Sequence, residues 1–523
     1  MASSVAPGIP GERLLPTIID ELAREDPDRP WASIPRDDYD LSQGFADISY
    51  AGLANAVNKL AWLIEGSIGR SDSFETIAYL GTPDIRYHMM QMAVCKTGHK
   101  ERELTSNDIR YTHAMIATQD AQEYLPDVCG REHLQTLHKP GKGVRFIMVT
   151  LPFHALSAGF AMIMTVFGGA IFVPGFAHRA VRPDEICDIL EHANVTRSLF
   201  TPWMMETIAR HPKAQSYIEP FDSAMYCGAA LPEETARTWA QWTLVRPAWG
   251  ATETLAPPQL VADNEDYSYV FFDPVYSGIE FRDAATTYAA EDGSEVPLYE
   301  MVFTITPEVA PVASWHANNG VDIDAVAARK GPPGGAAGKK HPELRIGDIW
   351  TPHPDPAKAR FAWRFIGRVD DIITFSSGVN YHPGPMEKLI KGHGAVSEAL
   401  VLGRGHQQPV ALIELHAEEG EFAAEDIKDE IWVSCIDPGN SIVPAHGKVS
   451  YTHIIILPAG SFIRTMKGNV IRKQTGREFS GAIDGVYAEF GDEWQDGQRR
   501  YGSISKSISL EVSVEVQDGT ETA

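Results

Sequence analysis

Short apolar runs and stretches of helical spacing alternate along most of this chain. In DISYAGLANAVNKLAWLIEG (47–66) a brief strand passes into a helix with Leu53, Val57, Leu60 and Leu63 on one face. FETIAYLG (74–81) reads as an apolar strand, followed by the helical DIRYHMMQMAVCKTGHK (84–100). EICDILEHANVTRSLFTP (185–202) and DSAMYCGAALPEETARTWAQW (222–242) repeat the alternation of helix and strand. Such a pattern predicts a mostly parallel, doubly wound α/β sheet.

One segment is apolar enough to raise a different possibility. From Phe146 to His178 there is no Asp, Glu, Lys or Arg, and AGFAMIMTVFGGAIFVPGF (158–176) is long enough to span a bilayer. Pro152, Gly168-Gly169 and Pro174 punctuate it, so the expectation is a buried helix near 157–167, a glycine turn and the strand AIFV.

Past Gly367-Arg368 the pattern changes. DIITFSSGVNY, a helix at PMEKLIKGH, and the runs EALVLGRG and PVALIELH form a smaller α+β unit. The division expected is a large, incomplete α/β domain over 1–366, shortened near 100–110, a small C-terminal domain over 367–480, and an acidic tail over 481–523. AVAARKGPPGGAAGKK (325–340) reads as a flexible insertion, and ISLEVSVEV (508–516) alternates like a half-buried strand.

Composition narrows the function classes. The 523 residues carry a formal net charge of -25, which argues against nucleic-acid and anionic-membrane partners. Five cysteines without CxxC spacing outline no disulfide framework, and the N-terminus lacks a basic region followed by an apolar run. A cytoplasmic location is the expectation.

Four stretches carry candidate chemistry, each with a plainer alternative. In RPAWGATET (246–254), Thr252 offers a hydroxyl to phosphate and Glu253 a hard oxygen to Mg²⁺; taken alone, such a stretch is more often a helix start capped by threonine. MYCGAALP (225–232) places Gly228, Ala229 and Ala230 where a flat ring could approach the backbone, or where helix packs tightly on sheet. RIGDIWTPHP (345–354) puts Asp348 at a turn, as a ribose-diol acceptor or an ordinary turn cap. WRFIGRVDDIITF (363–375) sets Arg368, Asp370 and Asp371 at the domain boundary, as a hinge or a solvated turn.

Taken in this order, and closed by the lysine turn of FIRTMKGNVIRKQT (462–475), the stretches resemble the adenylate-forming superfamily of acyl-CoA synthetases, luciferases and adenylation domains. The likeness is greatest to adenylation domains of fungal nonribosomal peptide synthetase-like proteins. PFHALSAGF (152–160) resembles the segment lining the acyl pocket, through His154. The resemblance implies ATP-dependent activation of a carboxylic acid as an acyl-adenylate, a ligase reaction. Transfer would follow to a thiol, either the phosphopantetheine of a separate carrier protein or coenzyme A. It implies that Thr252 touches phosphate, Glu253 holds Mg²⁺, Gly228 to Ala230 face adenine, and Asp348 with Arg368 binds ribose. Asp370 would be the hinge and Lys467 the catalytic cation, with Arg472 and Lys473 as surface charges.

The match has a gap. The superfamily's Gly-rich phosphate loop, Thr-Ser-Gly-Thr-Thr-Gly-x-Pro-Lys, is absent. Only ERELTSNDIR (101–110) joins the helix before it to YTHAMIATQD (111–120), which resembles the helix after it. About one hundred residues are missing there by the resemblance, in line with the size of βαβ units. No carrier serine or dinucleotide-binding glycine fingerprint follows Lys467. The alternative reading is therefore a truncated, catalytically impaired homologue that keeps a nucleotide site or binds a partner.

Overall fold

The computed structural model describes residues 11–82, 84–102, 112–134, 143–150, 152, 155–179, 181–182, 185–228, 230–289, 295–318, 343–377, 379–416, 424–464 and 470–492. The chain divides into two compact units, the first running to Ile372 apart from Ala289–Ser294, and the second taking that segment and the chain from Ile373 on.

The first unit is built on a seven-stranded sheet. Its strands lie in the order Phe45–Ser49, Pro30–Pro35, Ile171–Val173, Arg145–Ile147, Arg197–Phe200, Ser223–Tyr226 and Leu244–Pro247. All run parallel except the edge strand Phe45–Ser49. Successive side chains of a strand point to opposite faces, and the apolar residues divide accordingly. Phe146, Phe172, Leu199 and Met225 join one core with Ile18, Leu53, Val57 and Phe167. Ile147, Val173, Phe200 and Tyr226 join the other with Ile189, Met205 and Trp239. Helices cover both faces, as expected of a doubly wound sheet.

The uncharged segment is part of this core. Ala155–Met162 is α-helical and Ile163–Phe167 continues it as a π-helix, before Gly168-Gly169 turns the chain into the strand Ile171–Val173. The wider turn is pinned at Thr165: its hydroxyl accepts from Trp31 Nε1 at 3.2 Å, and its carbonyl accepts from the Tyr50 hydroxyl at 2.9 Å. Among the described residues no helix is long and apolar enough to cross a membrane.

Two expectations need correction. On the helix Tyr50–Ile68 the buried line is Leu53, Val57, Ala61 and Ile64, while Leu63 is 65% exposed. The stripe turns toward Ile64 because residues three or four apart share a face. The apolar strand in FETIAYLG does not enter the main sheet. Thr76–Ala78 pairs in parallel with Lys100–Arg102 alone, and Phe74 and Leu80 are exposed. Of that strand only Ile77 is partly buried, packing against the first core.

A second sheet of the first unit has six strands, in the order Gln259–Leu260, Val270–Phe272, Ala362–Arg368, Leu344–Pro352, Glu295–Phe303 and Ile279–Ala289. Phe272, Phe303, Trp350 and Trp363 make its aromatic core.

The second unit holds a three-stranded sheet. Val396–Leu402 pairs antiparallel with Val410–Leu415, which pairs in parallel with Ile454–Leu457. Helix Gly384–Lys391 and the helical run from Ala424 to Ile442 pack on it. Where an acidic tail was expected to begin, the helix Ser480–Phe490 forms instead. Its Tyr487 is buried, stacks on His406 with ring centroids 3.6 Å apart, and donates to Gln408 O at 2.8 Å. Ile483 packs on the same unit, and Gln407 N donates to Asp492 Oδ1 at 2.8 Å, so the segment is held at several points.

Candidate functional site

Two loops leave the carboxyl ends of neighbouring parallel strands, the usual place for ligands in open α/β sheets. Tyr226 and Pro247 are in register, and Ala248 N donates to Tyr226 O at 2.9 Å, so the turn after the first strand lies beside the loop after the second. Gly228 in the first turn has φ +96°, a conformation that favours glycine, and no atom of the described residues lies within 4 Å of where a Cβ would stand. Tight helix–sheet packing among the described residues therefore does not explain this glycine, and they leave the space above it open. Ala230 is exposed, and Ala229 lies outside the described residues.

The second loop, Trp249 to Leu255, closes on itself and no helix starts there. Ala251 N donates to Leu255 O and Thr254 N to Ala251 O, while Leu255 takes a left-handed φ of +50°. A Cβ at Gly250 would stand 2.9 Å from Leu255 O, so the turn needs glycine there. Gln259, almost fully buried, clamps the loop's entrance by accepting from Trp249 N at 2.8 Å and donating to Trp249 O at 2.7 Å. Gln119 and Gln122, from the helical turns 113–124, donate to Ala256 O at 2.9 and 3.0 Å and hold its exit. Thr252 and Glu253 are held out between these clamps, with no side-chain hydrogen bond among the described residues.

Asp348 does not sit at a turn as expected. It lies inside the strand Leu344–Pro352 and pairs with Arg368 on one side, while on the other side, toward Glu295–Phe303, it falls in a bulge. The pairing to the latter strand slips between Arg345 and Ile349, around Gly347 at φ +82°, and such bulges re-aim the neighbouring side chain. Asp348 Oδ2 accepts from Trp249 Nε1 at 3.1 Å, and Oδ1 stands 3.8 Å from Arg368 Nε. Arg368 is 57% exposed on its side chain and spends another nitrogen on Ile346 O at 2.6 Å, while its backbone N donates to Asp371 at 3.1 Å.

Burial pushes the Asp348 carboxyl up to about 6. The Arg368 charge and the Trp249 N–H pull it down, and Glu253 and Asp371 raise it further. These opposing influences show that Trp249, Glu253, Asp348, Arg368 and Asp371 form one electrostatic neighbourhood. Asp370 lies in the short turn Val369–Asp371, just before the division at Ile372.

Other predicted residues are placed elsewhere or not at all. His154 and Lys467 lie outside the described residues. The residues flanking 465–469 are ordered: Arg464 pairs antiparallel with Val470, and Ile471 N donates to Ile463 O at 2.7 Å. Arg464 is tied to the buried Glu414 of the central strand. Arg472 is a correction to the sequence reading. It is no surface charge, since both oxygens of Glu387 accept from it at 2.7 Å and Val401 O at 2.9 Å.

The nucleoside half of an adenine nucleotide fits these residues: an open floor at Gly228 and a carboxylate with one oxygen free of hydrogen bonds. For Mg²⁺, Glu253 is the uncommitted carboxylate beside that floor. The trio Asp263, Glu265 and Asp266 also has ligand-like spacing. Lys358 Nζ already stands 2.9, 3.5 and 2.6 Å from the three, so an ammonium does the work of a cation there.

Sequence reasoning missed Trp249, Gln119, Gln122 and Gln259 as parts of this site. Gln119 lies 137 positions from the carbonyl it holds, and Trp249 lies 99 from Asp348. No local pattern signals such bonds.

Residues 111–270 match the family model of AMP-binding enzymes, and residues 370–491 that of the AMP-binding enzyme C-terminal domain. A carboxylic acid reductase of Neurospora crassa is 24% identical over 604 aligned positions, covering 97% of this chain and 53% of the relative. At least 81 of those 604 positions have no residue of the 523-residue chain against them. The isocyanide synthase-NRPS hybrid crmA of Aspergillus fumigatus is 22% identical, over 92% of this chain and 34% of its own. The chain thus spans about half and a third of the lengths of these two relatives. In fold it is similar to a solved structure from work on fatty acyl-adenylate ligases of E. coli and L. pneumophila, with TM-score 0.63 and 12% identity over 92% of this chain and 100% of the other. It is also similar to the anthranilate CoA ligase AuaEII bound to anthranoyl-AMP, with TM-score 0.59 and 14% identity over 92% and 99%. With both of its models matched in order, over more than half of the residues together, the chain belongs to the family of AMP-binding enzymes.

Proposed function

We propose that this chain uses ATP to activate a carboxylic acid as an acyl-adenylate, releasing pyrophosphate, for transfer to a carrier-bound or coenzyme A thiol. The observation that supports it most is Asp348. A carboxylate half-enclosed beside an open glycine floor, oriented by one hydrogen bond and flanked by Arg368, is suited to accept the hydroxyls of a ribose. Gly228 to Ala230 face the adenine ring in this reading, and Thr252 reaches the phosphate. Glu253 holds Mg²⁺, which supplies charge neutralisation at the phosphate oxygens when bound. Lys467 contributes the cation that stabilises charge developing in the transition state, a contact typically worth ~3 kcal/mol. Asp370 is the hinge, and His154 lines the acid's pocket. The catalysis is positioning and electrostatics, with no protein nucleophile.

The test has two stages. Calorimetric titration with Mg·ATP, beside Asp348→Ala, asks whether the nucleotide binds. Acid-dependent exchange of labelled pyrophosphate into ATP, beside Lys467→Ala, asks whether the chemistry proceeds. Saturable binding lost in the first variant, with exchange lost in the second, supports the reading. Binding without exchange across a broad panel of acids would instead describe a homologue that kept the nucleoside site and lost turnover. No binding by folded protein would overturn the reading outright.

A further inference from the structure

The nucleoside end of the site contains a residue that the functional reading above gives no role. Trp249 donates its indole N–H to Asp348 Oδ2 at 3.1 Å. Its ring is wedged among Phe272, Phe303 and Trp350, with centroids 5.8, 5.9 and 6.0 Å away. Its backbone is held on both sides by Gln259. Neither ring nor main chain can turn away without opening the aromatic core and breaking two hydrogen bonds.

Packing alone does not require this hydrogen bond. Trp350, fully buried in the same aromatic cluster, has no partner for its Nε1 among the described residues. The fold therefore tolerates an unpaired indole N–H here, while Trp249 aims its own at a carboxylate. The bond leaves Asp348 with one oxygen committed. The other, Oδ1, stands 3.8 Å from Arg368 Nε, beyond hydrogen-bond reach and available to a ligand.

We infer that Trp249 is a positioning residue for the ribose: its N–H fixes the Asp348 carboxylate in one rotamer before the nucleotide arrives, so that Oδ1 is presented to the hydroxyls. A carboxylate locked in advance loses less freedom on binding than one that must be ordered by its ligand. The inference rests on the nucleotide-binding reading and adds to it which atom sets the ribose contact.

The experiment is a cycle of two proteins and two ligands. ATP and 2′,3′-dideoxy-ATP are titrated into the wild-type chain and into Trp249→Phe. The expected result is about a tenfold loss of ATP affinity in the variant, with less than about a twofold change for the dideoxy nucleotide, which has no hydroxyls for Asp348 to accept. An equal loss for both nucleotides would mean that the ring only packs, and would overturn the inference, as would no loss for either. If the wild-type chain binds no ATP, the nucleotide reading itself falls and takes the inference with it. Failure of the inference alone leaves wild-type binding intact. Should Trp249→Phe not fold, benzothienylalanine at position 249 keeps the bicyclic shape and removes only the N–H, with the same outcomes read.

Discussion

At the nucleoside end of the site, Asp348 is fixed by the indole of Trp249, by strands on both sides and by the nearby guanidinium of Arg368. At the proposed phosphate end, Thr252 and Glu253 project from a turn closed by its own backbone bonds and clamped by Gln259, Gln119 and Gln122, but their side chains have no hydrogen bond among the described residues, and the Gly-rich loop that the resemblance implies is missing from the sequence. At the first end the side chain itself is preorganised; at the second only the backbone is. The difference teaches that binding of the nucleoside and turnover of the triphosphate can be separated within one fold, because each depends on its own donors.

The largest effect should come from removing the nucleoside anchor. Asp348→Ala is expected to weaken Mg·ATP binding by at least about 100-fold, the worth of two hydrogen bonds to a charged acceptor. Calorimetry reads it directly, and a loss under threefold would break the comparison. Next is pH. Burial holds the Asp348 carboxyl at about 6, and the ionised form is the acceptor. Nucleotide affinity should therefore rise with pH through 6 and level off, being roughly tenfold weaker at pH 5 than at pH 8.

In the absence of ligand the sign reverses. A carboxyl raised above its ordinary value of 3.8 favours the folded state in its protonated form. That contribution is fully present below about pH 4 and is lost as pH climbs through 6. Melting temperatures of the wild type and Asp348→Asn, compared across this window, should converge at low pH and separate above it.

Smaller effects belong to the phosphate end. AMP and Mg·ATP should bind within about threefold of each other, since the sequence lacks the Gly-rich loop whose amides would gather the outer phosphates. A preference for ATP above about tenfold would show that another segment does the work of the missing loop. Smallest of all, Glu253→Gln should change Mg·ATP affinity by less than about threefold, a single carboxylate being a weak claim on a cation that keeps most of its water.

The alternation of apolar runs and helical faces determined the doubly wound sheet, because burial on both faces demands continuous apolar strands such as AIFV and SAMY whatever lies beside them. The same local logic marked the strand–turn–helix at Gly228 and the apolar segment 146–178 as core. Other features depend on residues far apart in the chain, and only the tertiary structure decided them. Asp348 became a strand residue, since pairing to partners from 295–303 and 362–368 outweighs the turn-forming habit of Gly-Asp. Thr76–Ala78 became half of a separate two-stranded pair, since a strand's place is set by its neighbours rather than by its own residues. Arg472 became an internal ion pair through Glu387, which lies 85 positions away. Trp249 met Asp348 across 99 positions, and no spacing rule spans such a distance. A local pattern reports how a segment buries itself, and the tertiary fold chooses which segments then meet.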